Sequence, residues 1–308
     1  MTVVDAHAHV IVPGLGAEVR WDDRGQVVEL DGKAIRAAVR EFVDLGRILE
    51  EQDRAGVDMV VLCPWVNLLG RETARQNEGL AALVGPRVAA LGTVDPDRPE
   101  ELVELMRDGR LSGVEVAASI EGNYLGDDRF GDFWAVADES GALVFVHPTT
   151  RGFGIEALND YYLWNSTGNP LETTITAAHL VMAGVLERHR SLRILLAHAG
   201  GAILALRGRL RHSHTFQPDA RSRLGESPVD SIRRFYLDTV THDQTLLRAA
   251  IDFAGADHVL LGSDYPFDMG LERPTGPVRK LGLDPADEAR VLGGNALRLL
   301  DHGSRSEP

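Results

Sequence analysis

The sequence predicts an α/β fold of the (β/α)₈ TIM-like barrel type, in which eight strands alternate with eight helices. Short apolar runs rich in Val, Ile and Leu recur along the chain, longer amphipathic stretches separate them, and His or Asp closes several of the runs. Short apolar strands are typical of a parallel sheet covered by helices. Polar residues at the carboxyl ends of barrel strands form the usual catalytic face.

Each predicted strand is a short apolar run, and each predicted helix is the amphipathic stretch that follows one. We expect strands at residues 3–10, 58–62, 88–94, 113–117, 142–146, 193–197, 235–240 and 258–261. We expect helices at residues 45–55, 72–84, 100–107, 130–140, 173–188, 202–212, 244–253 and 285–300. A doubly wound open sheet would share this alternation, but it usually carries a glycine-rich phosphate loop after the first strand. The sequence has no such loop there, so we prefer the barrel, with residues 1–308 as a single domain.

A small hairpin insertion is predicted after the first strand, at residues 14–37. Within it, residues 19–30 resemble two strands that turn near residues 23–25. We expect this insertion to lie over the mouth of the barrel.

The composition limits the classes of partner. The formal net charge is −14, whereas nucleic acids and anionic membranes are bound through basic patches. We therefore expect neither of these partners, although a cleft can still hold an acidic small molecule. We also expect neither a signal peptide nor a membrane-spanning helix, because no segment has the pattern of either.

The single cysteine, Cys63, bears on the compartment. One cysteine forms no intrachain disulfide, which fits a reducing cytoplasm. Cys63 lies in the apolar run 59–63, so we interpret it as a small buried apolar residue rather than a catalytic thiol.

His7 and His9 lie at the end of the first predicted strand. Residues two positions apart in a strand point to the same side, so both imidazoles are expected to face the barrel axis while Ala6 and Ala8 face the helices. The pair His212–His214 has the same spacing but lies in a helix-like segment, where the side chains diverge. A metal-binding pair is preferred over two hydrogen-bonded core histidines at His7 and His9.

Three further polar residues close predicted strands. His147 follows the fifth strand, His198 the sixth and Asp264 the eighth. Strand alternation places each of them on the side of the residues two and four positions earlier. Each alone could be a buried polar residue, but four strands that place His or Asp at one level predict a shared site.

The residue types indicate a metal. Imidazole nitrogens with one carboxylate suit Zn²⁺, Mn²⁺, Fe²⁺ or Co²⁺, with zinc as the first choice. Such an ion lowers the pKa of a bound water from about 15.7 towards 7. Five candidate side chains exceed the usual ligand number, so one histidine is expected to remain free to move protons near neutral pH.

These motifs resemble the amidohydrolase superfamily, and within it the decarboxylase branch typified by 2-amino-3-carboxymuconate-6-semialdehyde decarboxylase. The resemblance covers nearly the whole chain. The motifs that carry it are residues 5–9, 145–148, 197–201 and 262–267, with support from residues 31–36, 170–175 and 235–243.

The resemblance implies roles for individual residues. One divalent metal is bound by four side chains, which are His7, His9, His147 and Asp264. His198 is the acid/base that activates the metal-bound water. Asp264 is a catalytic residue as well as a metal ligand. Arg36 holds the substrate carboxylate, and Arg209 reaches the neighbouring active site of a homodimer.

The sequence departs from this branch near the expected substrate. Asn165, with Trp164 beside it, stands where the typical enzyme has a substrate-stacking Trp, and Thr149 replaces another Trp. Both Trp164 and Asn165 are therefore candidate substrate-binding residues. Glu115 on the fourth strand could bridge to a second metal, but one metal is favoured because no lysine occupies that strand.

Two other carboxylates, Asp5 and Asp238, are expected to lie near these histidines. Asp5 shares the predicted side of His7 and His9, so a hydrogen bond from Asp5 to an imidazole is expected. Asp238 and His242, at the end of the seventh strand, either line the pocket or are buried polar groups with partners.

The predicted activity is metal-dependent, non-oxidative decarboxylation of a small unsaturated or aromatic carboxylic acid. Hydrolysis of a lactone or amide, or hydration of a double bond, is an alternative on the same ligand set. A non-catalytic metal-binding barrel is a further alternative, although a structural site is normally closed by four protein ligands without a proton-transfer group.

Overall fold

The computed structural model describes residues 1–13, 15–22, 25–30, 33–35 and 40–301. Parallel strands form the centre and helices cover them. The strands of these ranges are β1 (Val4–Val10), β2 (Ala17–Asp22), β3 (Gly25–Leu30), β4 (Lys33–Ile35), β5 (Met59–Pro64), β6 (Val88–Ala90), β7 (Gly113–Ala117), β8 (Ser119–Ile120), β9 (Asn123–Tyr124), β10 (Leu143–His147), β11 (Arg193–Leu196), β12 (Tyr236–Asp238) and β13 (Val259–Leu260).

The helices follow the strands in the predicted alternation. They are α1 (Leu45–Ala55), α2 (Thr73–Leu83), α3 (Pro99–Asp108), α4 (Gly131–Ser140), α5 (Asn169–Met182), α6 (Val185–Arg188), α7 (Ile203–Phe216), α8 (Pro228–Ile232), α9 (Gln244–Ala254), α10 (Thr275–Lys280), α11 (Pro285–Ala289) and α12 (Asn295–Leu300). None of the helices in the described ranges has both the length and the apolar character needed to cross a membrane.

The eight predicted strands all occur, and they belong to two parallel sheets. One sheet has the order β1-β5-β6 and the other the order β7-β10-β11-β12-β13. Neighbours follow chain order throughout, without the reversal of a doubly wound sheet. Parallel bridges from Gly92 to Val114 and from Ala8 to Tyr265 join the edges of the two sheets.

Two helix predictions need correction at their boundaries. Residues 173–188 do not form one helix, because Gly184 adopts a left-handed conformation with φ of 70° between α5 and α6. Residues 285–300 are divided by a π-helical turn, Arg290–Gly294, between α11 and α12. In contrast, α1 has the predicted bounds, and its start is fixed by the Asp44 side chain, which accepts a hydrogen bond from the backbone of Arg47.

The segment after β1 contains a three-stranded antiparallel sheet of β2, β3 and β4. β2 and β3 pair from Ala17 with Leu30 to Asp22 with Gly25, and the hairpin insertion over the barrel mouth stays a prediction. Residues 14, 23, 24, 31, 32 and 36–39 of the predicted insertion lie outside the described residues.

Alternate residues of the parallel strands separate two apolar layers. One cluster, between strands and helices, includes Val144, Leu196 and Ile203. The other is contributed by strands of both sheets and includes Cys63 and Phe145. Cys63 is fully buried, so the prediction of a small buried apolar residue is confirmed.

Candidate metal centre and active site

Four predicted metal ligands converge at the carboxyl ends of β1, β10 and β13. The Oδ1 atom of Asp264 lies 3.1 Å from His7 Nε2, 3.3 Å from His9 Nε2 and 4.0 Å from His147 Nε2. The Nε2 atoms of His7 and His9 are 3.1 Å apart. All four side chains are buried. The structure thus brings residues separated by up to 257 positions in the sequence into one buried cluster.

The outer ring nitrogens of these histidines are already occupied. His9 Nδ1 donates to the carbonyl of Pro64 at 3.0 Å, and His147 Nδ1 donates to the carbonyl of Pro148 at 2.9 Å. A carbonyl can only accept, so these contacts fix the proton on Nδ1 and leave Nε2 with a lone pair directed inward. This arrangement presents ring nitrogens to a common point, as metal ligation requires.

Asp238 fixes the third imidazole. Its Oδ2 atom accepts a 2.7 Å hydrogen bond from His7 Nδ1 and a 2.9 Å bond from the backbone N–H of His198, while Oδ1 accepts from the N–H groups of Ala199 and Val240. Asp238 is fully buried. Burial opposes its ionisation, but the hydrogen bond and charge of His7 hold the pKa of Asp238 below its usual range. Of the two predicted interpretations, Asp238 is a buried group with partners.

His198 is placed differently from the other three histidines. Its Nε2 atom lies 3.5 Å from Asp264 Oδ2, and its side chain remains 14% exposed. The predicted alternation with Ile194 and Leu196 is wrong, because those residues lie in the cluster between strands and helices. His198 reaches the site through a tight turn in which its φ is 55°, an uncommon conformation for a residue other than glycine.

Among the described residues, the Asp5 carboxylate makes no hydrogen bond to an imidazole ring, which corrects a second expectation. The pairing of β1 with β5 shifts register between Asp5 and Ala8, and such a bulge reverses the alternation of side chains. The Asp5 carboxylate instead accepts from the backbone N–H groups of His7 and Ser263 and from the side chains of Gln52 and Ser263. Ala6 consequently packs in the inner cluster, although it was expected to face the helices.

The ionisation states of the ligands follow from burial and charge. Burial lowers the pKa of His9 and of His147, so both imidazoles are neutral. Burial also acts on His7, but the charge of Asp264 and the hydrogen bond to Asp238 raise the pKa of His7 to about 10. The charge of His7 holds the pKa of Asp264 well below its usual range against the effect of burial.

Glu115 lies beside this cluster on β7. Its Oε1 atom is 3.8 Å from His9 Nδ1, and neither carboxyl oxygen has a hydrogen-bond partner within the described part of the chain. Burial raises the pKa of Glu115 well above its usual range. One ligand atom each from Glu115, His9 and His147 lie within 4.8 Å of one another. The preference for one metal stays a prediction.

Two adjoining cavities open onto His198 and Asp264. One, of about 60 Å³, is lined by both predicted substrate residues, Trp164 and Asn165. The other, of about 250 Å³, also includes Asn165. The segment Trp164–Gly168 forms a π-helical turn directly before α5, and such turns are frequent at functional sites.

Sequence reasoning missed several polar residues of these cavities, among them Asn169 and Arg151. Asn169 lines both, and its buried Oδ1 atom has no hydrogen-bond partner among the described residues. Arg151 lines the smaller cavity. Neither lies at a strand end, and the only available signal for Arg151 was its position four residues after His147.

The two predicted substrate arginines are not brought to the site in the single chain. Arg36 lies outside the described residues. Arg209 is exposed on α7 and lines neither cavity. A role across a dimer interface stays a prediction. His242 lines the larger cavity.

Residues 4–301 match the amidohydrolase family, and the chain belongs to that family. The 2-amino-3-carboxymuconate-6-semialdehyde decarboxylase of Dictyostelium discoideum is 25% identical over 96% of this chain and 91% of its own length. The predicted resemblance to the amidohydrolase superfamily and to that decarboxylase is therefore confirmed.

Solved structures share the fold across nearly the whole chain. The 5-carboxyvanillate decarboxylase of Sphingomonas paucimobilis matches with a TM-score of 0.82 at 23% identity, covering 97% of this chain and 98% of that one. A dihydroxybenzoic acid decarboxylase from Polaromonas, solved with manganese and 2-nitroresorcinol, matches with a TM-score of 0.77 at 18% identity, covering 97% and 96%.

Proposed function

We propose that this protein is a metal-dependent carboxy-lyase that decarboxylates a small aromatic or unsaturated carboxylic acid without an oxidant. The observation that carries the proposal is the convergence of His7, His9, His147 and Asp264, with His198 beside them at the edge of a cavity. Three decarboxylases that resemble the chain along its length support this reaction over hydrolysis or hydration.

The donor set fits one divalent cation. The buried atoms His147 Nε2 and Asp264 Oδ1 have no hydrogen-bond partner in the described ranges, and His7 Nε2 and His9 Nε2 face each other. A cation held by these four side chains satisfies all of them at once. Zinc is our first choice for this nitrogen-rich set, with Mn²⁺, Fe²⁺ and Co²⁺ as alternatives; manganese is the ion in the Polaromonas enzyme.

The reaction needs one proton at a defined carbon. The proton adds to the carbon that bears the carboxylate, the bond to the carboxylate breaks, its electron pair stays with the product, and CO₂ leaves. A bound divalent cation supplies Lewis acidity that stabilises the negative charge developing on the substrate. His198 donates the proton from Nε2, because this histidine combines partial exposure with a position beside Asp264.

The remaining chain groups orient these reactants. Asp238 fixes the His7 ring and, through the backbone of residues 198 and 199, the turn that carries His198. One buried carboxylate thereby sets the relative position of a metal ligand and the proton donor. Trp164 and Asn165 bind the substrate from the cavity wall.

The proposal extends to architecture and assembly. The bridges at Gly92 and at Ala8 support closure of the two sheets into one eight-stranded barrel, with residues 14–37 over its mouth. Arg36 and Arg209 are assigned to the substrate carboxylate, the second across a homodimer interface, and the enzyme is assigned to the cytoplasm.

The test measures CO₂ or bicarbonate released by the purified, metal-loaded protein from a panel of aromatic and muconate-type acids. Lactones and amides are assayed beside them. His198→Ala should lower decarboxylation about 10²- to 10⁴-fold, the usual contribution of a positioned acid or base, and leave the metal content unchanged. His189→Ala, a change at a partly exposed histidine that lines neither cavity, is the matched control.

Two results would contradict the proposal. Turnover of a lactone or amide with no CO₂ released from any acid would assign the site to hydrolysis. Full activity of the His198→Ala protein would remove the proton donor on which the proposed reaction depends.

A further inference from the structure

The wall of the smaller cavity includes a positively charged side chain, Arg151, that the reaction described above does not use. Arg151 lies four residues after His147, and its guanidinium carbon is 3.9 Å from the centre of the Trp164 ring. Arg151 and Trp164 line this cavity together with His147, His198 and Asp264. The stacked arginine therefore borders the same space as the candidate metal ligands.

The backbone that carries Arg151 is held by a buried carboxylate. Glu172, which is fully buried, accepts hydrogen bonds from the N–H groups of Thr149 and Thr150 at 3.0 and 2.8 Å and from the Thr150 hydroxyl at 2.8 Å. Arg151 itself has a φ of 55°, a conformation that costs a non-glycine residue free energy and persists only where its surroundings impose it. This loop is thus positioned by specific contacts from α5.

The partner of Arg151 within the described residues is an aromatic ring and not an acid. Arg110, Arg129 and Arg234 each have a carboxylate within ion-pair distance, but among the described residues none lies within 4.0 Å of Arg151. Stacking on Trp164 occupies a face of the guanidinium and leaves its in-plane N–H groups available. Two parallel N–H groups match the two oxygens of a carboxylate.

The roles proposed for the other arginines decide which anionic group such a cation serves. Arg36 and Arg209 are already assigned to the substrate carboxylate, so a further guanidinium at the cavity is available to a different acidic group. Arg151 is therefore suited to a second anionic substituent.

We propose that Arg151, held against Trp164, binds a second acidic group of the substrate, so that the enzyme selects acids with two anionic groups over simple monoacids. This inference rests on the proposed function, because it assumes that the cavity at His198 receives the substrate. It assigns to residue 151 a specificity role and no part in proton transfer.

The test compares ligand binding by the full-length, metal-loaded protein, with no requirement for turnover. Benzoate and the three benzenedicarboxylates are titrated by calorimetry. The wild-type protein should bind at least one dicarboxylate more tightly than benzoate. Arg151→Met should weaken that dicarboxylate about 10- to 100-fold, as expected for loss of charge-assisted hydrogen bonds, and change benzoate binding less than threefold; Arg151→Lys should fall between.

Arg233→Met is the matched control, because Arg233 also stacks on an aromatic ring, Phe253 at 5.1 Å, but lines neither cavity. It should leave all four affinities unchanged. Equal binding of benzoate and every dicarboxylate by the wild type, or equal losses for mono- and dicarboxylate in Arg151→Met, would overturn the inference. Selective binding without CO₂ release from any acid would sustain the role of Arg151 and contradict only the proposed reaction.

Discussion

The strongest prediction compares the same chemical change at two buried carboxylates, Asp238→Asn and Asp5→Asn. Both residues are fully buried, and each accepts four hydrogen bonds. They differ in the kinds of donor that surround them. An amide at either position replaces one accepting oxygen by a donating nitrogen, so the donors around that oxygen decide the cost.

At position 238 both oxygens accept from backbone N–H groups, which cannot reverse. If the amide nitrogen replaces Oδ1, it faces the N–H groups of Ala199 and Val240, and both lose their acceptor. If the amide nitrogen replaces Oδ2, the N–H group of His198 loses its acceptor. In the second orientation the amide also donates to His7 Nδ1, which moves the ring proton to Nε2, the nitrogen nearest Asp264. Two unpaired buried donors at roughly 1–3 kcal/mol each give a loss of about 2–6 kcal/mol.

At position 5 the same amide can be accommodated. Oδ2 accepts only from side chains, those of Gln52 and Ser263. The Gln52 Oε1 atom has no partner within the described residues, so rotation of that amide presents an acceptor, and the serine hydroxyl accepts instead of donating. All four contacts are re-formed, and the expected cost is below about 1 kcal/mol.

The measurements are chemical denaturation of the metal-free proteins and metal affinity by chelator competition. Asp238→Asn should lose at least ~1 kcal/mol more stability than Asp5→Asn, and its metal affinity should fall about 10- to 100-fold because His7 loses its orienting partner. Metal affinity in Asp5→Asn should stay within about threefold of wild type. Equal destabilisation, or a larger loss for Asp5→Asn, would refute the hydrogen-bond assignment at both sites.

The remaining predictions concern the loop at Arg151, the cysteine and the metal. Glu172→Gln should cost ~1 kcal/mol and Glu172→Ala ~3 kcal/mol, because alanine leaves several donors unpaired; equal melting temperatures of the two variants would contradict this. Cys63 is buried, and burial raises the pKa of its thiol, so a thiol reagent should label it only after unfolding; rapid labelling of the native protein would be inconsistent with the fold. Removing metal with a chelator should lower stability, and restoring it at about 100 times its Kd should recover ~2.7 kcal/mol, read as a reversible shift in melting temperature.

Much of the fold and most of the candidate metal site could be predicted from local sequence pattern. Each parallel strand is a short apolar run, and the period of two assigns His147 and Asp264 to the inner side with Phe145 and Leu260. This works at His147 because β10 is regular up to that residue, whereas Asp264 lies four residues beyond β13. The predicted convergence of His7 and His9 agrees with the structure, although the bulge before them changes the side on which Asp5 and Ala6 lie; their role as metal ligands stays a prediction.

The failures share a physical cause, which is that the chain leaves regular geometry beside the site. His198 has a positive φ value of 55°, and no strand period predicts where such a residue points. The hydrogen bond from His7 to Asp238 joins residues 231 positions apart. The stacking of Arg151 on Trp164 depends likewise on two loops that meet only in the folded chain.

These irregularities explain how a buried cluster of ionisable groups can form. The neutral His9 and His147 each satisfy Nδ1 with a carbonyl, yet His147 Nε2 and Asp264 Oδ1 have no partner among the described residues. Unpaired buried polar atoms lower the free energy of unfolding. The protein without a cation is therefore less stable than it would be with these atoms paired. A cation can bind only where polar atoms remain without a partner in the protein. The site keeps metal affinity because backbone carbonyls and Asp238 satisfy the outer side of each ring and leave the inner side open.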